Sequence, residues 1–378
     1  MRTILKLVFL CVIVLIGYHF IQDKFHADSL PATLETAAAE VDEDSIAAFF
    51  TKLNTEVDKI KELFQKSQDL LPDWEINEPE QQKQLKKPVL DEPTGQAFSI
   101  YNIEIGDKKQ SVEKQLGKAK RESLNEYGTK WYTYHEQYQH FVMVSYDKDN
   151  KVDGLYTNQN LIASKNGIEK GTPKETVLQT LGEPLTQLEK GFVFYKLPSD
   201  RDYEMFHIDN QYITVFFDKH EDNTVTAMQI IDEGLEKDRN DFYTKSTADL
   251  KKGFEYQLFD LTNASRVNNG LTVLQWDDHV KEVARKHSLD MAEHNYFSHT
   301  NLEGQSPFDR MLEMGIHYTM AGENLAYGQY SSIFAHEGLM NSLGHRENIL
   351  QKDFRYLGVG VAFNTESQPY YTENFLTK

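Results

Sequence analysis

The chain has 378 residues, and its 40 basic and 59 acidic side chains leave a formal charge of −19. That length favours two modest domains with connecting material over a single core, and the acidic balance, with no basic patch to offset it, excludes nucleic acid as a partner. A single cysteine, Cys11, excludes an internal disulfide and thiol catalysis from the rest of the chain.

In chain order, Arg2 and Lys6 precede an apolar run from Leu7 to Ile21, and the chain turns polar at Gln22 and Asp23. Residues 1–25 therefore read as a signal anchor, single-pass in the cell membrane, with the start inside and the bulk of the chain extracytoplasmic. Secretion after cleavage is the alternative; the nearest alanine, Ala27, has the bulky Phe25 at the minus-three position. From Ile46 the positions Phe50, Leu53, Val57, Ile60, Phe64, Ser67 and Leu71, all apolar but Ser67, alternate steps of four and three, which is a heptad seam. Residues 42–71 are thus expected to form a helical stalk that packs on the next domain or self-associates. Pro79, Pro88 and Pro93 mark residues 72–98 as a linker.

Residues 99–232 repeat themselves. Gly106, Val112, Leu116 and Gly117 recur as Gly171, Val177, Leu181 and Gly182, giving copies at about 99–160 and 164–232. Each copy predicts a short helix ended by glycine, then alternating aromatic and β-branched strands. Neither copy alone buries its apolar face, so the two are expected to join their sheets into one α+β domain. Tyr127, Trp131, Tyr132, Tyr134, Tyr138, Phe141, Tyr146 and Tyr156 crowd the first copy; core filling is the favoured reading and a peptide- or glycan-binding platform the other.

The last region, 247–378, changes period. Leu250, Phe254, Leu258 and Leu261 make one helical stripe, and Val280, Val283, Ala284, His287 and Met291 make another on a helix started near Asp277. His287 and His294 on that helix read as packing or surface residues. Ser306-Pro307 starts a third helix, and strands are expected at Val359 to Phe363 and Tyr370 to Phe375. Helices around such strands predict a layered domain of about 130 residues.

Ordered segments in this region carry a family resemblance: Asn263-x-x-Arg266, Tyr296-Phe297-Ser298-His299, Gly322-Glu323-Asn324-Leu325-Ala326, Gly344-His345-Arg346-x-Asn348-Ile349-Leu350 and Leu357-Gly358-Val359-Gly360. The region resembles the bacterial, membrane-anchored branch of the CAP superfamily, which includes cysteine-rich secretory, venom-allergen and pathogenesis-related proteins. The duplicated region resembles its CAP-associated N-terminal module.

The resemblance implies an α+β protein whose C-terminal part is an α-β-α sandwich, preceded by the duplicated α+β module and an anchored stalk. It also implies an open cleft lined by His299, Glu323 and His345. The family's second glutamate falls where Ser342 stands, and Glu337, five residues earlier, compensates only if its helix turns that way. Asn263, Arg266 and Asn324 are expected to support the cleft. Two imidazoles and a carboxylate suit zinc or another divalent cation, although the ligands lack the i, i+4 spacing of a metalloprotease helix. A serine nucleophile at Ser298 or Ser342 is disfavoured, since neither sits in a nucleophile elbow. No catalytic residue is assigned, and whether the protein is an enzyme stays open. The favoured expectation is a membrane-anchored module whose cleft binds a ligand or metal, with envelope polymer, lipid or protein as partner classes. The alternatives are a metal-dependent hydrolase of peptides or cell-envelope polymer and a structural interaction scaffold.

Overall fold

The computed structural model describes residues 84–190, 193–239 and 241–378. The expected anchor at 1–25, the stalk at 42–71 and the first part of the linker at 72–98 lie outside them. Among the described residues no helix is long and apolar enough to cross a membrane.

The first copy of the duplicated region contains β1 (Phe98–Ile100), α1 (Lys109–Leu116), β2 (Arg121–Leu124), β3 (Lys130–Glu136), β4 (Gln139–Tyr146) and β5 (Val152–Thr157). The second contains β6 (Ile162–Ser164), which pairs with its counterpart β1, α2 (Lys174–Leu181), the hairpin β7 (Gln187–Lys190) and β8 (Val193–Lys196), then β9 (Tyr203–Ile208), β10 (Gln211–Asp218) and β11 (Thr224–Asp232). Both short helices stop at a glycine of positive φ, Gly117 at 78° and Gly182 at 81°, a conformation that a side chain would oppose. The copies fuse through β5 and β11, with Thr157 opposite Met228 and Gly154 opposite Ile231. The product is one antiparallel sheet in the order β2-β3-β4-β5-β11-β10-β9.

Strand alternation gives this sheet two apolar faces. Val142, Val144, Val215 and Phe217 face one way and pack with Val112 of α1 and Val177 of α2. Trp131, Phe141, Met143, Tyr156 and Phe216 face the other way, against Leu261, Ala264, Ile333 and Phe334 of the C-terminal region. The aromatic residues that crowd the first copy are therefore divided. Tyr134 and Tyr146 join hydroxyls at 2.9 Å on the first face, and Trp131, Phe141 and Tyr156 fill a core shared with the C-terminal domain.

After α3 (Glu233–Asp238), that domain comprises α4 (Ala248–Asn268), β12 (Gln275–Trp276), α5 (Asp278–His294), α6 (Pro307–Glu313), β13 (Met320–Tyr327), α7 (Ser332–Asn341), α8 (Leu343–Ile349), β14 (Tyr356–Phe363) and β15 (Pro369–Thr377). Local chemistry sets the helix starts. Asp277 caps α5 by accepting from His279 and Val280, and Ser306 with Asp309 forms a capping box ahead of Pro307. The sheet order is β12-β14-β15-β13, so β13 is an edge strand. Leu357, Val359, Val361, Tyr371 and Phe375 face α4, α7 and α8. On the opposite face Gly358 and Gly360 let α5 approach: a Cβ there would stand 2.2 and 2.1 Å from the α5 backbone. The result is the α-β-α sandwich.

Candidate functional site

The site forms where both helical layers reach the edge strand β13. Alternation along that strand sends neighbouring side chains to opposite faces. Glu323 turns toward α6, and Asn324 turns toward α8. Arg310 of α6 donates from Nη2 to Glu323 Oε2 at 2.7 Å, and His299 Nδ1 meets Glu323 Oε1 at 2.9 Å. A carboxylate only accepts, so this bond puts a proton on His299 Nδ1, and in the neutral ring Nε2 is then the acceptor. The same guanidinium holds the His299 loop by donating from Nη1 to His299 O at 2.8 Å and Gln305 O at 3.0 Å. The Glu323 side chain is only 1% exposed whereas the His299 side chain is 53% exposed, so the carboxylate works from beneath an open imidazole.

From the other layer, Asn324 Nδ2 donates to the carbonyl of His345 at 3.1 Å and to Glu373 Oε2 at 3.1 Å, while Asn348 Nδ2 donates to Asn324 Oδ1 at 2.9 Å. These bonds dock the start of α8 on the edge strand and place His345. Its Nδ1 lies 2.8 Å from Ser342 Oγ. Burial, and then the nearby His299 ring, hold His345 below the ordinary histidine pKa, which favours the neutral ring. His299, Glu323 and His345 are thus gathered at one edge, with Ser342 rather than a second carboxylate beside His345.

Glu337 does not join them. The α7 helix buries it against the duplicated module, where Glu337 Oε1 accepts from Tyr156 Oη at 2.5 Å. The turn that would have sent it to the cleft is opposed by the packing of Phe334, on the same helix, against Phe216 and Tyr203. The supporting residues lie deeper. Asn263 pairs with both backbone groups of Leu274, at 3.1 and 2.7 Å. The fully buried Arg266 donates to the carbonyls of Thr272, Ile349 and Gln351, and burial lowers its pKa to about 10.

Two participants escaped the sequence reading. Arg310 had no motif or stripe to mark it; its only signal was its place one turn into the helix started by Ser306-Pro307. His287, read as a packing residue, donates from Nε2 to Ser298 O at 2.9 Å and so fixes the loop that carries His299. Ser298 Oγ itself accepts from Thr300 N at 3.1 Å.

As a metal set, the cleft offers the two imidazoles. Each Glu323 oxygen already accepts one bond, from Arg310 and from His299, and among the described residues no group of three or more His, Cys, Asp or Glu side chains is placed to hold a metal ion. Zinc or another divalent cation, if bound here, would be held by the His299 and His345 ring nitrogens, with water or an incoming ligand completing its shell. Ser342 and His345 form a hydroxyl–imidazole pair, but among the described residues no carboxylate bonds the other His345 nitrogen to orient it, as an activated serine requires.

Comparison with known proteins shows the family and the fold. The model of the cysteine-rich secretory protein (CAP) family matches residues 259–375, and that of the CAP-associated N-terminal domain matches 105–242. An uncharacterized membrane protein of Bacillus subtilis, YlbC, is 30% identical over 291 residues, covering 72% of this chain and 82% of the relative. A second B. subtilis protein, YkwD, also uncharacterized, is 41% identical over 135 residues, 36% of this chain and 51% of that protein. Among solved structures, an extracellular SCP-domain protein of Bacillus anthracis superposes with a TM-score of 0.63 at 26% identity, covering 79% of this chain and 100% of its own. A Staphylococcus aureus cysteine-rich secretory protein has the same fold, with a TM-score of 0.58 at 16% identity over 72% of this chain and 91% of its own.

Proposed function

The chain belongs to the CAP family, in the form that carries a CAP-associated module ahead of the CAP domain, and from that premise we propose that it holds a binding cleft at the cell surface. The cleft recognises an electron-accepting ligand, a divalent cation or a hydrogen-bond donor, through the ring nitrogens of His299 and His345. The observation that carries this reading is the Arg310–Glu323–His299 chain of bonds. It fixes the His299 tautomer from below and leaves the exposed ring nitrogen as an acceptor. Binding is favoured over metal-dependent hydrolysis because Arg310 and His299 each hold one Glu323 oxygen, which makes this buried carboxylate a countercharge rather than a general base. The membrane reading rests on the apolar run Leu7 to Ile21 together with the name of the B. subtilis relative.

The test is titration of the full chain with Co2+ and Zn2+, followed by visible absorption and calorimetry, with His299→Ala and His345→Ala in parallel. One equivalent of metal bound by the wild-type chain, with loss of at least tenfold in affinity in each variant, is expected. Metal binding indifferent to both substitutions would place the cation elsewhere. Without metal binding, the hydrogen-bonding form of the proposal rests on the 1H–15N spectrum, in which the His299 and His345 ring nitrogens must respond to envelope fragments; silence in both experiments removes the reading.

A further inference from the structure

A second polar depression, of about 450 Å3, lies where the duplicated module meets the CAP domain, and none of His299, Glu323 or His345 lines it. Its rim is exposed at Asn160 and Glu221 and its floor is buried at Asn158 and Glu337, so it opens to solvent and ends in protein. Lys170 and Arg346 stand between.

The protein leaves hydrogen-bonding capacity of both kinds unmet here. Lys170 Nζ donates to Asn158 O at 3.0 Å and Thr226 O at 3.2 Å, leaving one of its three N–H bonds. Arg346 Nη1 donates to Asp218 Oδ2 at 2.8 Å and Met340 O at 3.2 Å, leaving Nε and Nη2 without a protein partner among the described residues. On the accepting side, Glu337 spends Oε1 on Tyr156 and keeps Oε2. Asn158 is 4% exposed; its Nδ2 donates to Ser265 Oγ at 3.1 Å while its Oδ1 is buried without a partner. Unpaired buried acceptors are costly, and a ligand able to donate removes that cost.

The duplication sets the cation apart from the frame that the two copies share. Gly106 N donates to Val152 O in the first copy and Gly171 N to Val225 O in the second, so the residue before the glycine is Ile105 in one and Lys170 in the other. Ile105 packs on the apolar core. Lys170 lines the cavity, where burial lowers its pKa and Glu337 and Asp218 act against that shift.

We propose that this junction cavity binds a small zwitterion, a free amino acid or a dipeptide, with the ligand carboxylate on Lys170 and Arg346 and its ammonium on Glu337 and Asn158. The volume admits a molecule of that size, and the opposed sets of unmet donors and acceptors match its two ends. Burial raises the Glu337 carboxyl to about 7, so an arriving ammonium, which favours the ionised form, displaces a proton near neutral pH. A simple anion on Lys170 and Arg346 would not.

The experiment is calorimetric titration of the full chain near pH 7 with glycine, alanine and alanyl-alanine, in two buffers of different ionisation enthalpy. Acetate and methylammonium serve as single-charge controls. At least one zwitterion is expected to saturate the site in the micromolar to millimolar range, with proton release and a ligand-dependent rise in Tm. Lys170→Ile, which installs the first-copy residue, and Glu337→Gln, which keeps an acceptor for Tyr156, should each weaken binding at least tenfold. Either variant alone suffices if the other does not fold. The proposal is overturned if no zwitterion saturates, if acetate binds as tightly as the zwitterions, if binding survives both substitutions, or if His299→Ala abolishes it.

Discussion

Two buried glutamates, Glu323 at the cleft and Glu337 at the junction, were equally plain in the sequence and met opposite environments. Glu323 receives a guanidinium and an imidazole on its two oxygens. Glu337 receives one tyrosine hydroxyl, and burial raises its pKa to about 7. The first is an internal countercharge that orients a histidine. The second is an incompletely satisfied acid in a cavity between two domains. Burial alone therefore says little about a carboxylate; the number and charge of its donors decide what it can do.

The largest expected effect comes from removing the partner of the satisfied acid. Arg310→Met leaves Glu323 buried without its guanidinium and should cost about 3–5 kcal/mol in urea denaturation of the full chain; a cost under about 1 kcal/mol would make the two glutamates equivalent. Next is the junction itself. Gly253 of α4 lies against the Leu124 carbonyl, where a Cβ would stand 2.1 Å from the oxygen. Gly253→Ala should destabilise by about 2–3 kcal/mol and impair zwitterion binding more than metal binding at the cleft. Equal loss at both sites would show that they are not separate.

A smaller effect, with a defined sign, separates the acids by pH. The folded Glu337 carboxyl is raised from 4.5 to about 7, so the folded state holds its proton more tightly than the unfolded state. Its contribution is fully present below about pH 4.5 and is lost as pH rises through about 7. Lys170 and Arg346 oppose the raise, and Asp218 adds to it. Wild type minus Glu337→Gln stability should therefore fall across this window by an amount on the order of 1–3 kcal/mol. The subtraction cancels His336 and His345, whose lowered values act in the opposite direction. A flat difference would sink the contrast. The smallest effect is Ser342→Ala, about 1 kcal/mol or less, accompanied by a change in the Nδ1 signal of His345 in a 1H–15N spectrum while His299 stays unchanged.

Much of the architecture was legible because its causes are local. The caps at Asp277 and Ser306, the glycine stops at Gly117 and Gly182 and the strand alternation at Val359 and Val361 act over a few residues and fixed their elements wherever those elements came to rest. The ordered segments around His299, Glu323 and His345 likewise named three side chains that the edge strand gathers. Arg310 carried no such mark, since its partner is a carboxylate thirteen residues away on a different element. The aromatic run of the first copy showed apolar content without showing which residues face α1 and α2 and which face the CAP domain.

The sequence by itself determined the helices begun at Asp277 and Ser306, the strands at Val359 to Phe363 and Tyr370 to Phe375, the duplication and the family segments, because caps, periods and motif spacing are short-range. Only the tertiary structure decided that Glu337 turns to Tyr156 instead of the cleft, that Arg310 completes the cleft, and that Lys170 enters a cavity where Ile105 enters a core. Those directions depend on which surface packs against each element, and the packing joins residues far apart in the chain.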